Sequence, residues 1–209
     1  MRENVDSATA AYLQARQGII RRNFVWVEAK NRSTGGTETM GLWDGDEVVT
    51  VTVISGQTGL PVSRIYVGAG SLLTVNSIPL TTDLTVRTVN VSLSQISASV
   101  QQLVRGYDTR RAPIEIHRGL FNISTNDLVA PPIPRFVGWI NGNPINTPAI
   151  GQEGSIEVAC VSHTRSLTFT NPAKRSDEYQ QTRSGDRFRR YTDVAGNWQI
   201  YWGENRAST

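Results

Sequence analysis

The sequence contains very few of the residues on which catalysis and metal binding most often depend. Its 209 residues include one cysteine, Cys160, and two histidines, His117 and His163. A single cysteine excludes an intrachain disulfide and an all-cysteine metal site. Two histidines leave a transition-metal site poorly supplied with ligands. We therefore expect no cofactor and no metal centre.

Long apolar runs are also missing. No stretch of about 18 consecutive apolar residues occurs, so we expect no membrane-spanning segment. The N-terminus, residues 1–6, is mostly polar and acidic and lacks the apolar centre of a signal peptide. These features predict a protein that is made, and folds, in a reducing cytoplasm.

Lysine is scarce as well. Only Lys30 and Lys174 occur among the 21 basic residues, and the chain is mildly basic, with a net charge of +3 and a pI of about 9.3. Arginine forms bidentate and stacked contacts at protein interfaces. We interpret the arginine excess as interface chemistry, with nucleic-acid binding as the weaker alternative.

Threonine, valine, serine and glycine are abundant, and they favour strands and turns. The pattern predicts a mainly β fold, with antiparallel hairpins over residues 23–54 and a further hairpin across Gly68–Gly70. A strand over 84–93 changes phase, which predicts a bulge near Arg87 and Thr88. Asn141-Gly142 is a hairpin turn signal. The predicted strands cover residues 24–30, 39–43, 47–54, 64–67, 72–75, 84–93, 112–117, 135–140 and much of 154–170.

One or two short helices are predicted beside the strands. Residues 6–17 are rich in helix formers, with Asp6 or Ser7 as the cap and Gly18 as the stop. A second helix has Ser94 as its cap and Gly106 at its C-terminal end, where we expect a positive φ. Its predicted core-facing residues are Ile96, Val100, Leu103 and Val104.

These elements predict three parts: an N-terminal helix over 1–21, a β-rich core over 22–170, and a C-terminal arm over 171–209. The arm holds seven basic and five acidic residues and few aliphatics, so we expect it to pack across its own domain or onto a partner. The alternative is that 199–202 add an edge strand to the domain's own sheet. The candidate interface residues are Tyr12, Arg175, Arg183, Arg187, Phe188, Arg189, Arg190, Trp198, Tyr201 and Trp202.

Each histidine has a neighbour in the sequence with which it could form a catalytic pair. Cys160 and His163 are three apart in a predicted strand, so they point to opposite faces. Glu115 and His117 share one face, where they are a candidate general base or metal ligand. A surface cross-strand pair is the favoured interpretation.

The remaining carboxylates of interest are Asp44, Asp46 and Glu47. They have the residue types of a glycoside hydrolase site or a Ca²⁺ site. Their Asp-Gly-Asp context is also what a tight turn requires, and we favour the turn. We therefore predict no catalytic residue and no enzyme.

Two segments carry a family resemblance. Residues 103–116 resemble the part of tail-hub proteins, from long-tailed phages and gene transfer agents, where a helix ends and a Tyr-Asp pair leads into a strand. The C-terminal segment resembles the end of small phage tail proteins of this type. The residues that carry this second likeness are Arg175-Ser176-Asp177, Gly185-Asp186 and Tyr201-Trp202-Gly203.

The resemblance implies an antiparallel β-barrel or β-sandwich that forms a homo-oligomeric ring, a trimer or hexamer, around the end of the tail tube. Its partners would be copies of itself and the tail tube, tape-measure and tail-tip proteins, with DNA passing through the lumen without specific binding. Its location would be the virion tail, after assembly in the host bacterial cytoplasm.

One departure from the family bears on the identity of the ring. Many hub relatives carry a cysteine-rich C-terminal iron–sulfur region, which a chain with one cysteine cannot form. The distal-tail ring protein therefore stands beside the hub as a reading. Two other functions stay open: a carbohydrate-binding module of a baseplate or fibre, using exposed Trp and Asp, and a cell-wall-degrading enzyme.

Overall fold

The computed structural model of the chain describes residues 6–68, 70–79, 83–146, 149, 154–170 and 174–197. These residues are mainly β, as predicted, and their strands belong to one sheet. The strands are Ile20–Asn31 (β1), Thr37–Trp43 (β2), Val48–Ile54 (β3), Pro61–Val67 (β4), Leu72–Val75 (β5), Thr88–Ser94 (β6), Tyr107–Asp108 (β7), Pro113–Phe121 (β8), Ile133–Gly142 (β9), Ile145–Asn146 (β10) and Ser155–Ser162 (β11).

The helical elements among the described residues are short. The α-helices are Ser7–Gln14 (α1), Ala98–Gln101 (α2) and Asp177–Gln181 (α3). A π-helical turn, Gln102–Gly106, continues α2, and two 3₁₀ turns cover His163–Thr168 and Ala195–Asn197. No described helix has the length and apolar character that crossing a bilayer requires.

The strands follow the order β3-β4-β2-β1-β8-β9-β11-β6-β5, with β7 paired to β1 and β10 to β11. Of the hairpins predicted over residues 23–54, the β1–β2 pair is confirmed, but β2 and β3 do not pair. Instead, β4 lies between them and runs parallel to β2 at Leu42 and Val67, while the other pairings along the path are antiparallel. The parallel β2–β4 pair makes the sheet mixed. Among the described residues no pairing joins β3 to β5, so the sheet is not closed into the expected barrel.

The two faces of the sheet pack separate apolar clusters. Alternate residues of β1 point to opposite faces, so Val25 and Val27 lie in the larger cluster while Phe24 lies in the smaller one. The smaller cluster also holds Val53 of β3 and Tyr66 of β4. The β3–β4 hairpin therefore covers one face of β1, and this placement builds the buried site described below.

The predicted core positions on β6 and β11 are confirmed. Val89, Val91, Leu93, Ile156 and Val158 are each at most 3% exposed. The two strands pair directly, with Val91 opposite Val158 and Leu93 opposite Ile156. Burial of each of these side chains stabilises the fold by roughly 1.5–3 kcal/mol.

Three local predictions were wrong. The strand predicted over 84–93 begins only at Thr88, and Leu84 is 79% exposed, so its change of phase marks the start of β6 and not a bulge. The segments on either side of Gly68 do not form a hairpin, because β4 pairs with β3 while β5 pairs with β6. Asn141-Gly142 does not form the predicted hairpin turn, because these residues end β9. Both β9 and the following β10 pair with β11.

The second helix is shorter than predicted. Val100, Leu103 and Val104 are buried, as expected, but Ile96 precedes the helix and is 94% exposed. The N-cap is Ser97 and not Ser94. Gly106 lacks the predicted positive φ, since the π-helical turn passes directly into the extended Tyr107 without a reversing residue.

The chain divides into two compact units, Met1–Thr168 and Phe169–Thr209. In the first unit, α1 confirms the predicted N-terminal helix, and the Asp6 carboxylate caps it by accepting the N–H of Ala8 at 2.9 Å. In the second unit, Ser176 caps α3 by accepting the N–H of Tyr179. The edge strand considered over 199–202 lies outside the described residues.

Candidate functional site

Tyr12 is used inside its own unit. Its hydroxyl lies 2.8 Å from the carbonyl oxygen of Phe121 at the end of β8, and 3.1 Å from that of Gly18. Donation to Phe121 fixes α1 against the end of β8. The ring is half-buried, and the neighbouring Leu13 remains 41% exposed on the same short helix.

Two of the predicted interface arginines have partners within the C-terminal unit. The Arg187 guanidinium forms an ion pair with Asp177, and its Nε lies 3.1 Å from the carboxylate. This hydrogen bond holds the pKa of the Asp177 carboxyl below its usual range. Arg190 lies over the ring of Tyr191, 5.4 Å from its centroid. Both arginines therefore make their contacts with residues of their own unit.

Four of the other predicted interface residues line one shallow hollow of about 260 Å³. Phe188 is 85% exposed and Tyr179 is 47% exposed. The described lining carries four basic groups, two aromatic rings and no carboxylate, which suits contact with an acidic surface. The lining residues are Lys174, Arg175, Ser176, Tyr179, Gln180, Arg183, Phe188 and Arg189. Trp198, Tyr201 and Trp202 lie outside the described residues.

A buried ion cluster joins β4 to β8. The Glu115 carboxylate accepts a hydrogen bond from Arg64 Nη1 at 2.7 Å and from the Gly56 N–H at 3.1 Å. His117 Nε2 lies 2.8 Å from the Ile54 carbonyl oxygen and 3.5 Å from Glu115. The prediction of a surface pair was wrong, since the two side chains are 2% and 0% exposed.

The environment of this cluster sets its charges. Burial alone would raise the pKa of Glu115, but the hydrogen bonds from Arg64 and Gly56 and the positive charge of Arg64 outweigh it, so that pKa is lowered. Burial lowers the pKa of His117 despite its bond to Ile54. At neutral pH the cluster is an Arg⁺–Glu⁻ pair beside a neutral imidazole, which ties β4, β8 and the turn after β3 together.

The cluster makes stability depend on pH. His117 and Glu115 have lower pKa values in the folded protein than their ordinary values of 6.5 and 4.5. Below pH 6.5 the unfolded chain binds a proton at His117 that the folded protein does not hold, so the free energy of unfolding falls. Below pH 4.5 Glu115 acts in the same direction.

Urea denaturation at about pH 7.5 and about pH 5.5 measures the histidine contribution. We expect a lower free energy of unfolding at the lower pH. The decrease should shrink in His117→Gln and persist in His163→Gln, because His163 is exposed. Equal stability of the wild type at both pH values would contradict this account.

Cys160 does not form a reactive pair with His163. The thiol is buried in β11, and burial raises its pKa to about 12. His163 is the first residue of the 3₁₀ turn after that strand. Its ring packs edge-on against the Trp139 ring, with the two centroids 4.4 Å apart. A thiolate is the reactive form of cysteine, and this thiol stays protonated near neutral pH.

The buried thiol predicts a clear labelling result. A thiol-specific disulfide reagent should leave the folded protein unmodified over the time in which it labels the urea-unfolded chain completely. The same experiment on Cys160→Ala gives the background. Rapid stoichiometric labelling of the native protein would show that Cys160 is accessible, contrary to its 0% exposure.

Asp44 lies in the bend between β2 and β3, where the sequence predicts a turn, and its carboxylate is bound to β1. It accepts the backbone N–H of Asn23 at 3.0 Å and the side-chain amide of Asn23 at 3.1 Å. Burial raises the pKa of Asp44. Within the described part of the chain, no group of three His, Cys, Asp or Glu side chains could hold a metal ion.

The open sheet edge at β3 was not predicted from the sequence. This strand has one neighbour, β4, and residues 48–54 contain no charge and no proline. Ile54 donates its N–H away from β4, to the Pro132 carbonyl oxygen at 3.0 Å. Alternate residues of a strand point their backbone groups to the same side. The backbone N–H and C=O groups of Thr50 and Thr52 therefore also point away from β4.

Residues along this edge and on the neighbouring strand are exposed. Thr50 and Thr52 are exposed, Val48 is 65% exposed, and Ile65, opposite Thr50 on β4, is 59% exposed. No other described strand pairs with this edge. The sequence signal was the uncharged β-branched run itself, which is unusual for an edge that natural proteins protect with charges or proline.

No family model matches the sequence, and no curated protein matches it.

Proposed function

We propose that this chain is a structural subunit of a phage tail tip, a hub or distal-tail ring protein, that assembles with copies of itself and with neighbouring tail proteins. The observation that most directly supports assembly is the uncharged edge of β3. An exposed, uncharged edge strand presents unpaired N–H and C=O groups that pair readily with a strand from another chain.

A second copy is the favoured occupant of this edge. Natural monomers cover or charge such edges because open ones aggregate. The two ends of the sheet are different strands, β3 and β5. If β3 contacts a different surface of the next copy, the contact is head-to-tail. Head-to-tail contacts close into rings when the rotation permits, which fits a trimer or hexamer.

The assignment to a phage tail rests on the resemblance of the two segments. The local structure supports the first of them: the π-helical turn ends at Gly106, Tyr107–Asp108 forms β7, and β8 begins at Pro113. This order agrees with the helix end, Tyr-Asp pair and strand that the resemblance implies for this segment. Parts of the second segment surround the basic and aromatic hollow of the C-terminal unit, a surface suited to an acidic neighbour.

Two features support a structural role over a catalytic one. The Arg64–Glu115–His117 cluster is enclosed, with side chains at most 9% exposed. The Asp44 carboxylate is occupied by two hydrogen bonds from Asn23 of β1. In the proposed ring, the lumen passes DNA without specific binding, the protein resides in the virion tail, and assembly takes place in the host cytoplasm.

Negative-stain electron microscopy of the purified protein, together with light scattering behind size exclusion, tests the proposal. We expect closed rings of three or six copies. A protein that stays monomeric at high concentration, and that touches no copy of itself in an assembled particle, would overturn it. Glycan-array binding by such a monomer would favour the carbohydrate-binding alternative.

A further inference from the structure

A hollow of about 470 Å³ lies between the segment that follows β5 and the strands β1, β8 and β9. One wall comes from β5 and the residues after it, and the other carries three arginines. The described lining contains no aspartate or glutamate. The lining residues are Arg21, Val75, Asn76, Ser77, Ile78, Arg118 and Arg135. This hollow is separate from every surface used in the proposed assembly.

The sheet brings the three arginines together from distant parts of the chain. Arg118 on β8 lies opposite Asn23 of β1, two residues from Arg21 on the same face. On β9, Phe136 pairs with Ile116 and Pro134 pairs with His117, so Arg135 is the extra residue of a β-bulge. A bulge changes the direction of its side chain, and Arg135 lines the hollow beside the other two.

Their positive charge is not neutralised locally. None of the three arginines forms an ion pair with another described residue. Arg118 Nε makes one long hydrogen bond, 3.4 Å, to the Asn23 side-chain oxygen. The buried Nε of Arg135 has no partner in the described part of the chain. Like charges on neighbouring strands destabilise a sheet, so this arrangement carries a cost in the empty protein.

The ionisation of Arg118 reflects the same crowding. Burial lowers the pKa of Arg118, and the charges of Arg135 and Arg21 lower it further. Asp44 acts in the opposite direction, but its carboxylate is bound to Asn23 and lies outside the lining. An anion in the hollow would relieve the repulsion and supply the acceptor that Arg135 lacks.

We propose that this hollow is a binding site for a small phosphate-bearing anion, held by Arg21, Arg118 and Arg135. Guanidinium groups bind phosphate oxygens in bidentate geometry. Three converging positive charges match a phosphate group that carries two or more negative charges better than a single carboxylate. Asn76 and Ser77 add an amide and a hydroxyl, and Val75 and Ile78 give an apolar wall for the rest of a small organic phosphate.

The opposite wall is held in place by the fold. The Asn76 N–H donates to the Asn90 carbonyl oxygen at 3.0 Å, which extends the β5–β6 pairing. Arg87 Nη1 donates to the Pro79 carbonyl oxygen at 3.2 Å. The arginines therefore converge into a formed hollow. A duplex DNA site would instead spread its cations along an extended surface, to follow the phosphate backbone.

Isothermal titration calorimetry with pyrophosphate tests the site on the full chain. We expect saturable binding to the wild type, and a rise in melting temperature when pyrophosphate is added. Arg118→Gln/Arg135→Gln should weaken binding by about tenfold or more. Arg118→Lys/Arg135→Lys keeps the charge without the planar fork, and should retain part of the affinity. Arg105→Gln, an exposed arginine of the π-helical turn, is the matched control and should bind as the wild type does.

The melting temperature without added anion separates binding from a structural role. Because the glutamine variant removes repulsion, it should melt at or above the wild-type temperature, and should lose the rise caused by pyrophosphate. The proposal is overturned if sodium chloride at equal ionic strength stabilises as strongly as pyrophosphate, or if citrate binds equally well. Unchanged binding by the glutamine variant, or binding of a random DNA duplex but not of pyrophosphate, overturns it as well.

Discussion

Replacing Glu115 by alanine is expected to lower the free energy of unfolding by about 3–5 kcal/mol. The carboxylate is 2% exposed, and it accepts hydrogen bonds from Arg64 and from the Gly56 N–H. Its removal leaves a buried guanidinium without a counter-ion beside an imidazole that burial keeps neutral. Breaking one partner of a buried pair is more damaging than removing both, because the remaining charge stays desolvated.

Urea denaturation of paired variants makes this test specific. Glu157→Ala on β11 removes an exposed carboxylate and should change stability by less than about 0.5 kcal/mol. Arg64→Met/Glu115→Leu removes both charges, and should recover much of the stability that Glu115→Ala loses. If Glu115→Ala were no less stable than Glu157→Ala, the cluster would not hold β4 and β8 together as the distances indicate.

The second large effect is expected at the open edge. Thr52→Lys should weaken self-association by about 100-fold or more, which corresponds to roughly 2.7 kcal/mol. Thr52 is exposed, and its backbone faces away from β4. A lysine there brings an ammonium group into the strand-to-strand contact, which is how natural proteins block edge pairing. Sedimentation velocity and negative-stain imaging across a concentration series would measure the loss of rings.

The same position supplies the control. Thr52→Val keeps the β-branched shape and adds no charge, so this variant should assemble like the wild type. Both variants should keep the wild-type circular dichroism spectrum, because Thr52 is exposed. Rings that form equally well with lysine at position 52 would place the subunit contact elsewhere on the molecule and refute the edge-pairing proposal.

Patterns within one strand predicted its buried face well. Alternation identified Val89, Val91 and Leu93 as core residues, and their pairing with Ile156 and Val158 confirms it. The same logic placed Glu115 and His117 on one face. It failed on their burial, since alternation assigns a residue to a face but does not indicate what covers that face.

Pairing between distant strands could not be predicted from local signals. The segments around Gly68 have the composition of a hairpin, yet β4 pairs with β3 and β2, and β5 pairs with β6. Hairpin signals describe short loops, whereas a strand's final neighbours depend on which apolar faces it can cover. The wrong prediction that Ile96 is buried has a related cause. The apolar helical spacing extends back to Ile96, although the helix itself begins only at Ala98.

By itself, the sequence determined the mainly β class, the short N-terminal helix, the buried faces of β6 and β11, and the turn at Asp44. These depend on residue type and short-range periodicity. Tertiary structure alone decided the Arg64–Glu115–His117 cluster, the open edge of β3, and the meeting of Arg21, Arg118 and Arg135. Each of these depends on long-range strand order or register, or on a one-residue bulge, and such features arise only when strands far apart in the chain settle beside one another.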